Sequence, residues 1–235
     1  MTRLVTVSHG TRLRAGNLVG PAVTARAARL LGVPGTAAYV ELCDPSLDAA
    51  LEEIGVGATA VVVPLLLSSG VHLRRDIPTV VCGSGVRAVI TAGLGPHPLL
   101  AELLVRRLLG AGARPGDAVV LVAAGSSDPE GLRDLLRAGR LLAARWDGPV
   151  RMATLGGRGP TVPAAVADVR RVAGPGAHVA VAPYLLARGH FADRLARVAR
   201  EQGVSVLADV LGSDPLVARL VAWRYRRAVA ARAVA

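Results

Sequence analysis

Residues 62–72, Val62-Val63-Pro64-Leu65-Leu66-Leu67-Ser68-Ser69-Gly70-Val71-His72, recur one residue shorter as 181–190, Val181-Ala182-Pro183-Tyr184-Leu185-Leu186-Ala187-Arg188-Gly189-His190. In each copy an apolar run meets a proline, then passes through small residues to a histidine. A short apolar run bounded by turn signals reads as a strand buried on both faces, the environment of a parallel sheet covered by helices. The recurrence makes the chain an internal duplication.

Outward from these runs the alternation continues. Strands are expected at 4–7, 36–40, 58–64 and 87–91, with helices at 17–31, 46–54, 75–82 and 98–109. The pattern then restarts, with strands at 118–122, 150–154, 177–182 and 204–207 and helices at 131–145, 162–172, 191–202 and 215–231. Finer matches support the repeat. Val5-Thr6-Val7-Ser8-His9-Gly10-Thr11 aligns with Leu121-Val122-Ala123-Ala124-Gly125-Ser126, and Asp44-Pro45-Ser46 with Gly159-Pro160-Thr161. A Gly/Pro-rich join lies at 111–117. The expected fold class is α/β: two tandem similar domains, 1–114 and 115–235, each a four-stranded parallel sheet flanked by helices, facing across a cleft.

Composition limits the function classes. The 235 residues are 52% hydrophobic and 19% charged, with mean hydropathy +0.45, which excludes disorder. The two cysteines, Cys43 and Cys82, exclude a disulfide scaffold and any CxxC motif, and fit a reduced cytoplasm. All 28 basic residues are arginine and the net charge is +11, densest at Arg219, Arg224, Arg226, Arg227 and Arg232. With only 3% aromatic residues the interleaving that single-strand binders use for stacking is missing, so no nucleic-acid partner is expected. A basic surface also suits a small polyanionic substrate. Residues 54–73 lack Asp, Glu, Lys and Arg, but their apolar part, 58–67, is far short of the roughly 20 residues a membrane span needs. The N-terminal residues contain no signal-peptide h-region, so a cytoplasmic protein with no membrane partner is expected.

In open α/β sheets ligands gather beyond the carboxyl ends of the strands. His9 follows the first strand, Glu41 ends the second and His72 lies in the loop after the third. A spatial strand order of 2-1-3-4 makes these loops neighbours. Two imidazoles and a carboxylate suit a borderline-soft divalent metal, and the same groups accept protons near neutrality. Elsewhere the reading is structural: His97, between two prolines at a helix start, orders that turn. Gly83-Ser84-Gly85 lacks a full dinucleotide fingerprint, 155–159 lacks the Lys-Ser/Thr of a phosphate-binding loop, and Ser8 and Ser126 lack a nucleophile elbow. No organic cofactor is expected.

Three stretches resemble the sirohydrochlorin chelatase family, the small cobalto- and ferrochelatases of the class II chelatase fold. They are Val7-Ser8-His9-Gly10-Thr11-Arg12, then Val40-Glu41-Leu42-Cys43-Asp44-Pro45-Ser46, then 61–72 with Asp76-Ile77-Pro78. Leu94-Gly95-Pro96-His97-Pro98-Leu99-Leu100 is similar to the family's segment after the fourth strand. The likeness is specific over 3–110 and looser over 118–231, as in the two-domain, single-chain form.

The resemblance implies a lyase-class chelatase inserting Fe(II) or Co(II) into sirohydrochlorin, a tetrapyrrole carrying eight carboxylates, in siroheme or cobalamin synthesis. By that resemblance His9 and His72 bind the incoming metal, and they or Glu41 accept the pyrrole N–H protons. Arg12, Ser69, Gly70 and Arg74 are expected to contact substrate, since arginine forks match carboxylates. The second half departs from the pattern: Ala124 stands where His9 does, and Gly156 where Glu41 does. His190 survives opposite His72, and Arg158 follows the Gly-rich turn, so both are expected on the substrate. The alternative is a non-catalytic tetrapyrrole or metal carrier. The duplication supplies its own second domain, so a monomer or weak homodimer is expected.

Overall fold

The β-branched run at the start of the chain forms β1 (Arg3–Ser8), flanked by β2 (Gly35–Tyr39) and β3 (Thr59–Pro64), with β4 (Arg87–Ile90) beyond β3. All pairings are parallel, in the order β2-β1-β3-β4. The structure, a computed structural model, describes residues 1–174 and 176–234. The second half repeats the design with β5 (Ala118–Ala123), β6 (Val150–Thr154), β7 (Val179–Tyr184) and β8 (Val206–Leu207) in the order β6-β5-β7-β8. Its last strand has two residues, against the four expected.

Helices link the strands, as parallel pairing requires. In the first half these are α1 (Arg14–Asn17), α2 (Val19–Leu31), α3 (Leu47–Ile54), a π-helical turn (His72–Asp76) and α4 (Ile77–Gly83). The single helix expected at 17–31 is preceded by a separate turn of helix, α1. Then follow α5 (Pro98–Gly110), α6 (Pro129–Ala143), α7 (Val162–Ala173), α8 (His190–Glu201) and α9 (Pro215–Val234). The duplication extends to the caps. Ser46 accepts from the Ala49 N–H at 3.1 Å and Thr161 from the Ala164 N–H at 3.4 Å, each satisfying a free donor of its helix start.

Alternate residues of β1 face opposite sides of its sheet. Val5 and Val7 pack with Leu47, Leu51, Ile77 and Val81 of α3 and α4. The same alternation in the second half sets Val120 and Val122 among Val162, Val166, Val169 and Leu195. On the other side of the first sheet, Thr6 meets Thr24 of α2 hydroxyl to hydroxyl at 2.5 Å, and Thr24 donates to the Gly20 carbonyl, so these buried hydroxyls are paired.

The compact units divide the chain differently from 1–114 and 115–235. One consists of Met1–Leu94 with Ser213–Ala235, the other of Gly95–Gly212. Thus α9, sequence-adjacent to the second repeat, packs on α2 and β3 of the first unit, while α5 packs on α6 and β7 of the second. The physical reason is burial: Leu216, Val217, Leu220, Val221 and Tyr225 of α9 are all buried. The Tyr225 hydroxyl donates to the Thr2 carbonyl at 2.7 Å. Tyr225→Phe is expected to lower stability by about 1 kcal/mol, the usual net worth of one such bond, measured by urea denaturation. An unchanged midpoint would mean that water replaces the bond without cost. Among the described residues no helix is long and apolar enough to cross a membrane.

Candidate metal-binding site

Backbone pairing first brings two site residues together. Beyond the end of β1 the β1–β2 ladder continues, with the Val40 N–H donating to the Ser8 carbonyl at 2.8 Å and Glu41 N–H to the His9 carbonyl at 3.2 Å. His9 and Glu41 therefore sit side by side at the carboxyl edge of the sheet. The approach requires a glycine: Gly10 has φ +99°, and a Cβ there would lie 2.0 Å from the Glu41 carbonyl oxygen. After β3, residues 65–71 lead to His72, the first residue of the π-helical turn and not a loop residue as expected. The Ile77 N–H donates to the His72 carbonyl, closing that turn, and the buried Ile77 anchors it to the core. Such turns recur at functional sites.

The three side chains converge. Glu41 Oε1 lies 3.1 Å from His9 Nε2 and 3.5 Å from His72 Nε2. The two imidazoles meet edge to face, with centroids 4.6 Å apart and an interplanar angle of 87°. One donor atom from each residue fits within a mutual spread of 4.8 Å. Among the described residues this is the one cluster of three or more His, Cys, Asp or Glu with the geometry to hold a metal ion. The side chains of His9, Glu41 and His72 are 48, 47 and 32% exposed, so an ion held there keeps open coordination positions. Two imidazoles and a carboxylate, with no thiolate, suit Fe(II), Co(II) or Zn(II), and an open shell distinguishes the cluster from a closed structural zinc cage.

Sequence reasoning missed one participant. Asp76 Oδ2 lies 2.7 Å from His72 Nδ1. The i, i+4 spacing on one helical face was the available signal.

The loop carrying Arg12 is fixed by its own bonds. Thr11 N–H donates to Asn17 Oδ1 at 2.9 Å and Asn17 Nδ2 to the Thr11 carbonyl at 2.6 Å. The buried Tyr39 hydroxyl donates to the Asn17 carbonyl at 2.6 Å. Burial first, and the nearby Cys43 second, push the Tyr39 phenol above its usual range, so it stays a donor. Arg12 and Arg74 are exposed, and Ser69 and Gly70 are partly covered in the loop before His72.

The second unit preserves the scaffold without the donors. The Leu155 N–H donates to the Ala123 carbonyl, and Gly125, at φ +100°, packs against Gly156, repeating the Gly10–Glu41 approach. The positions of His9 and Glu41 are thus held by Ala124 and Gly156. Arg158 donates through Nε to the Ser127 carbonyl at 3.1 Å. His190 begins α8, exposed, with its ring edge-on to Phe191 at 5.6 Å. His97 caps α5, its Nδ1 accepting from the Leu99 N–H at 3.2 Å, the structural role expected of it.

Comparison with known proteins shows the family. The sirohydrochlorin ferrochelatase of Arabidopsis thaliana chloroplasts is 35% identical over 113 residues, 45% of this chain and 50% of that one. The sirohydrochlorin ferrochelatase of Priestia megaterium is 30% identical over 155 residues, 62% of this chain and 58% of that one. The chain therefore spans little more than half the length of these curated relatives. The structure of SirB from Bacillus subtilis with Fe3+ shares the fold, with a TM-score of 0.83 at 24% identity over 97% of this chain and 95% of that one. The CbiX family model matches residues 3–111 and, separately, 118–228, so each repeat carries the signature and the chain belongs to the CbiX family.

Proposed function

We propose that this chain is a metal chelatase that inserts Fe(II) or Co(II) into sirohydrochlorin. The observation that carries the reading is the convergence of His9, Glu41 and His72 on one open point at the carboxyl edge of a parallel sheet. The family membership and the names of the relatives agree with it.

Metallation replaces two pyrrole N–H protons by one divalent ion, so the site must receive a hydrated cation, remove water from it, and accept protons. His9 and His72 supply neutral donors strong enough to displace water and weak enough to release the ion to four pyrrole nitrogens. Glu41, within hydrogen-bond reach of His9, offsets the charge of the arriving cation and takes one proton as it leaves the macrocycle, and an imidazole freed when the ion passes on takes the second. Arg12 and Arg74 pair with substrate carboxylates, and Ser69 and Gly70 border the macrocycle.

The test is an anaerobic absorbance time course of sirohydrochlorin with the protein and Fe(II), Co(II) or Ni(II) in turn, beside the uncatalysed reaction. Glu41→Gln is expected to slow metallation by about 10²–10⁴-fold, the usual contribution of a positioned general base. Co(II) binding should persist in that variant, because both imidazoles remain. Tetrapyrrole binding with metallation no faster than background would instead make the protein a carrier.

A further inference from the structure

We propose that Asp76 is a positioning residue that fixes the tautomer of His72. This inference rests on the reading of His9, Glu41 and His72 as the metal-receiving set. Its physical content is a statement about one proton in the metal-free protein.

An imidazole coordinates through a nitrogen that carries no proton, and which nitrogen that is depends on the partner of the other. In His72 the two nitrogens face different groups. Nδ1 is 2.7 Å from Asp76 Oδ2, whereas Nε2 points into the cluster at 3.5 Å from Glu41 Oε1. Both neighbours are carboxylates, so in the neutral imidazole, the form able to coordinate a metal, both compete for the one ring proton. The contact to Asp76 is much the shorter, and a carboxylate 2.7 Å away is the stronger acceptor. The proton therefore sits on Nδ1, and the Nε2 lone pair is directed at the cluster. Carboxylate–histidine–metal arrangements of this kind fix ring orientation and raise ligand basicity.

Sequence and backbone explain why this partner is available. Asp76 ends the same π-helical turn that His72 begins, and the turn is held by the Ile77 N–H bond to the His72 carbonyl. Ligand and orienting group thus ride on one rigid segment. In the second repeat His190 is followed by Asp193 and Arg194 at the third and fourth positions, and its ring lies edge-on to Phe191.

The discriminating variant is Asp76→Asn. It conserves shape, so a packing role would leave it silent. Its amide can donate to Nδ1, which moves the ring proton to Nε2, where Glu41 accepts it and the lone pair is lost to the metal. Asp76→Ala removes the acceptor altogether. Long-range ¹H–¹⁵N spectra of the metal-free protein, with the His72 signal assigned by its loss in His72→Gln, should show Nδ1 protonated in the parent chain. The proton should appear on Nε2 in Asp76→Asn. Co(II) affinity by titration should fall about 10–100-fold in both variants. Circular dichroism should show both variants folded, as the 40% exposure of the Asp76 side chain leads one to expect. A parent protein with the proton on Nε2, or variants that keep both the parent tautomer and its Co(II) affinity, would overturn the inference. A parent that fails to metallate sirohydrochlorin, yet shows the tautomer shift, would sink the chelatase reading and leave this one standing.

Discussion

His72→Ala is expected to return iron and cobalt insertion to the uncatalysed rate while the protein stays folded. On the proposed reading His72 is one of two imidazole donors, and its removal leaves a carboxylate and a single histidine, both nearly half exposed, to face the incoming ion. Such a pair competes poorly with the ion's own water shell. The His72 side chain is itself 32% exposed and lies outside the core, so its truncation should cost no more than about 1 kcal/mol of stability. His9→Ala should behave in the same way. The double variant should be no slower than either single one, because donors that act as a unit lose their whole contribution when one is removed. The anaerobic absorbance time course measures all three. Metallation near the parent rate in either single variant would refute the assignment.

Gly10→Ala carries the largest expected effect on stability. A Cβ at Gly10 would stand 2.0 Å from the Glu41 carbonyl oxygen, at a φ of +99° that side chains rarely adopt. Steric overlap and backbone strain act together, so the two strand ends must separate. The expected cost is about 3 kcal/mol, which for a chain of this length lowers the melting temperature by roughly 6–12 °C. Because Glu41 moves with its backbone, Co(II) affinity should fall as well. Gly125→Ala is the internal control. Its Cβ would lie 1.7 Å from the Gly156 carbonyl oxygen, so it should destabilise comparably, yet that unit lacks the counterparts of His9 and Glu41. Co(II) affinity should then be unchanged. Thermal melts and Co(II) titrations of the two variants check both halves, and a Gly10→Ala melt within a degree of the parent would contradict the argument.

Much of this arrangement is legible in the sequence because parallel strands buried on both faces must be apolar throughout. Runs such as 60–63 and 118–122 mark themselves, and the order 2-1-3-4 is the one usual for a doubly wound sheet. The neighbourhood of His9, Glu41 and His72 then follows from their positions just past the strand ends. Two features escape such reading. Asp76 meets His72 through an i, i+4 spacing that reads as a helical face only once a helix is known to begin there, and the sequence marks the π-helical turn by no cap or proline before His72. The assignment of α5 and α9 to their units escapes for another reason. Periodicity shows that a helix has an apolar surface, but not which of two similar sheets that surface covers. In α9 even the periodicity is faint, because Leu216, Val217, Ala218, Leu220, Val221 and Ala222 are nearly continuous and all buried.

The membership of α9 also sets an order of completion along the chain. The first unit is discontinuous, interrupted after Leu94 by the whole of the second and resumed at Ser213. A ribosome therefore delivers His9, Glu41 and His72 early, but the helix that packs on α2 and β3 follows only after the whole of the second unit. The intervening unit has all of its strands and helices before the sheet bearing the donors has all of its own. Truncation that removes α9 accordingly falls on the unit that carries His9, Glu41 and His72, and spares the unit that directly precedes it in sequence.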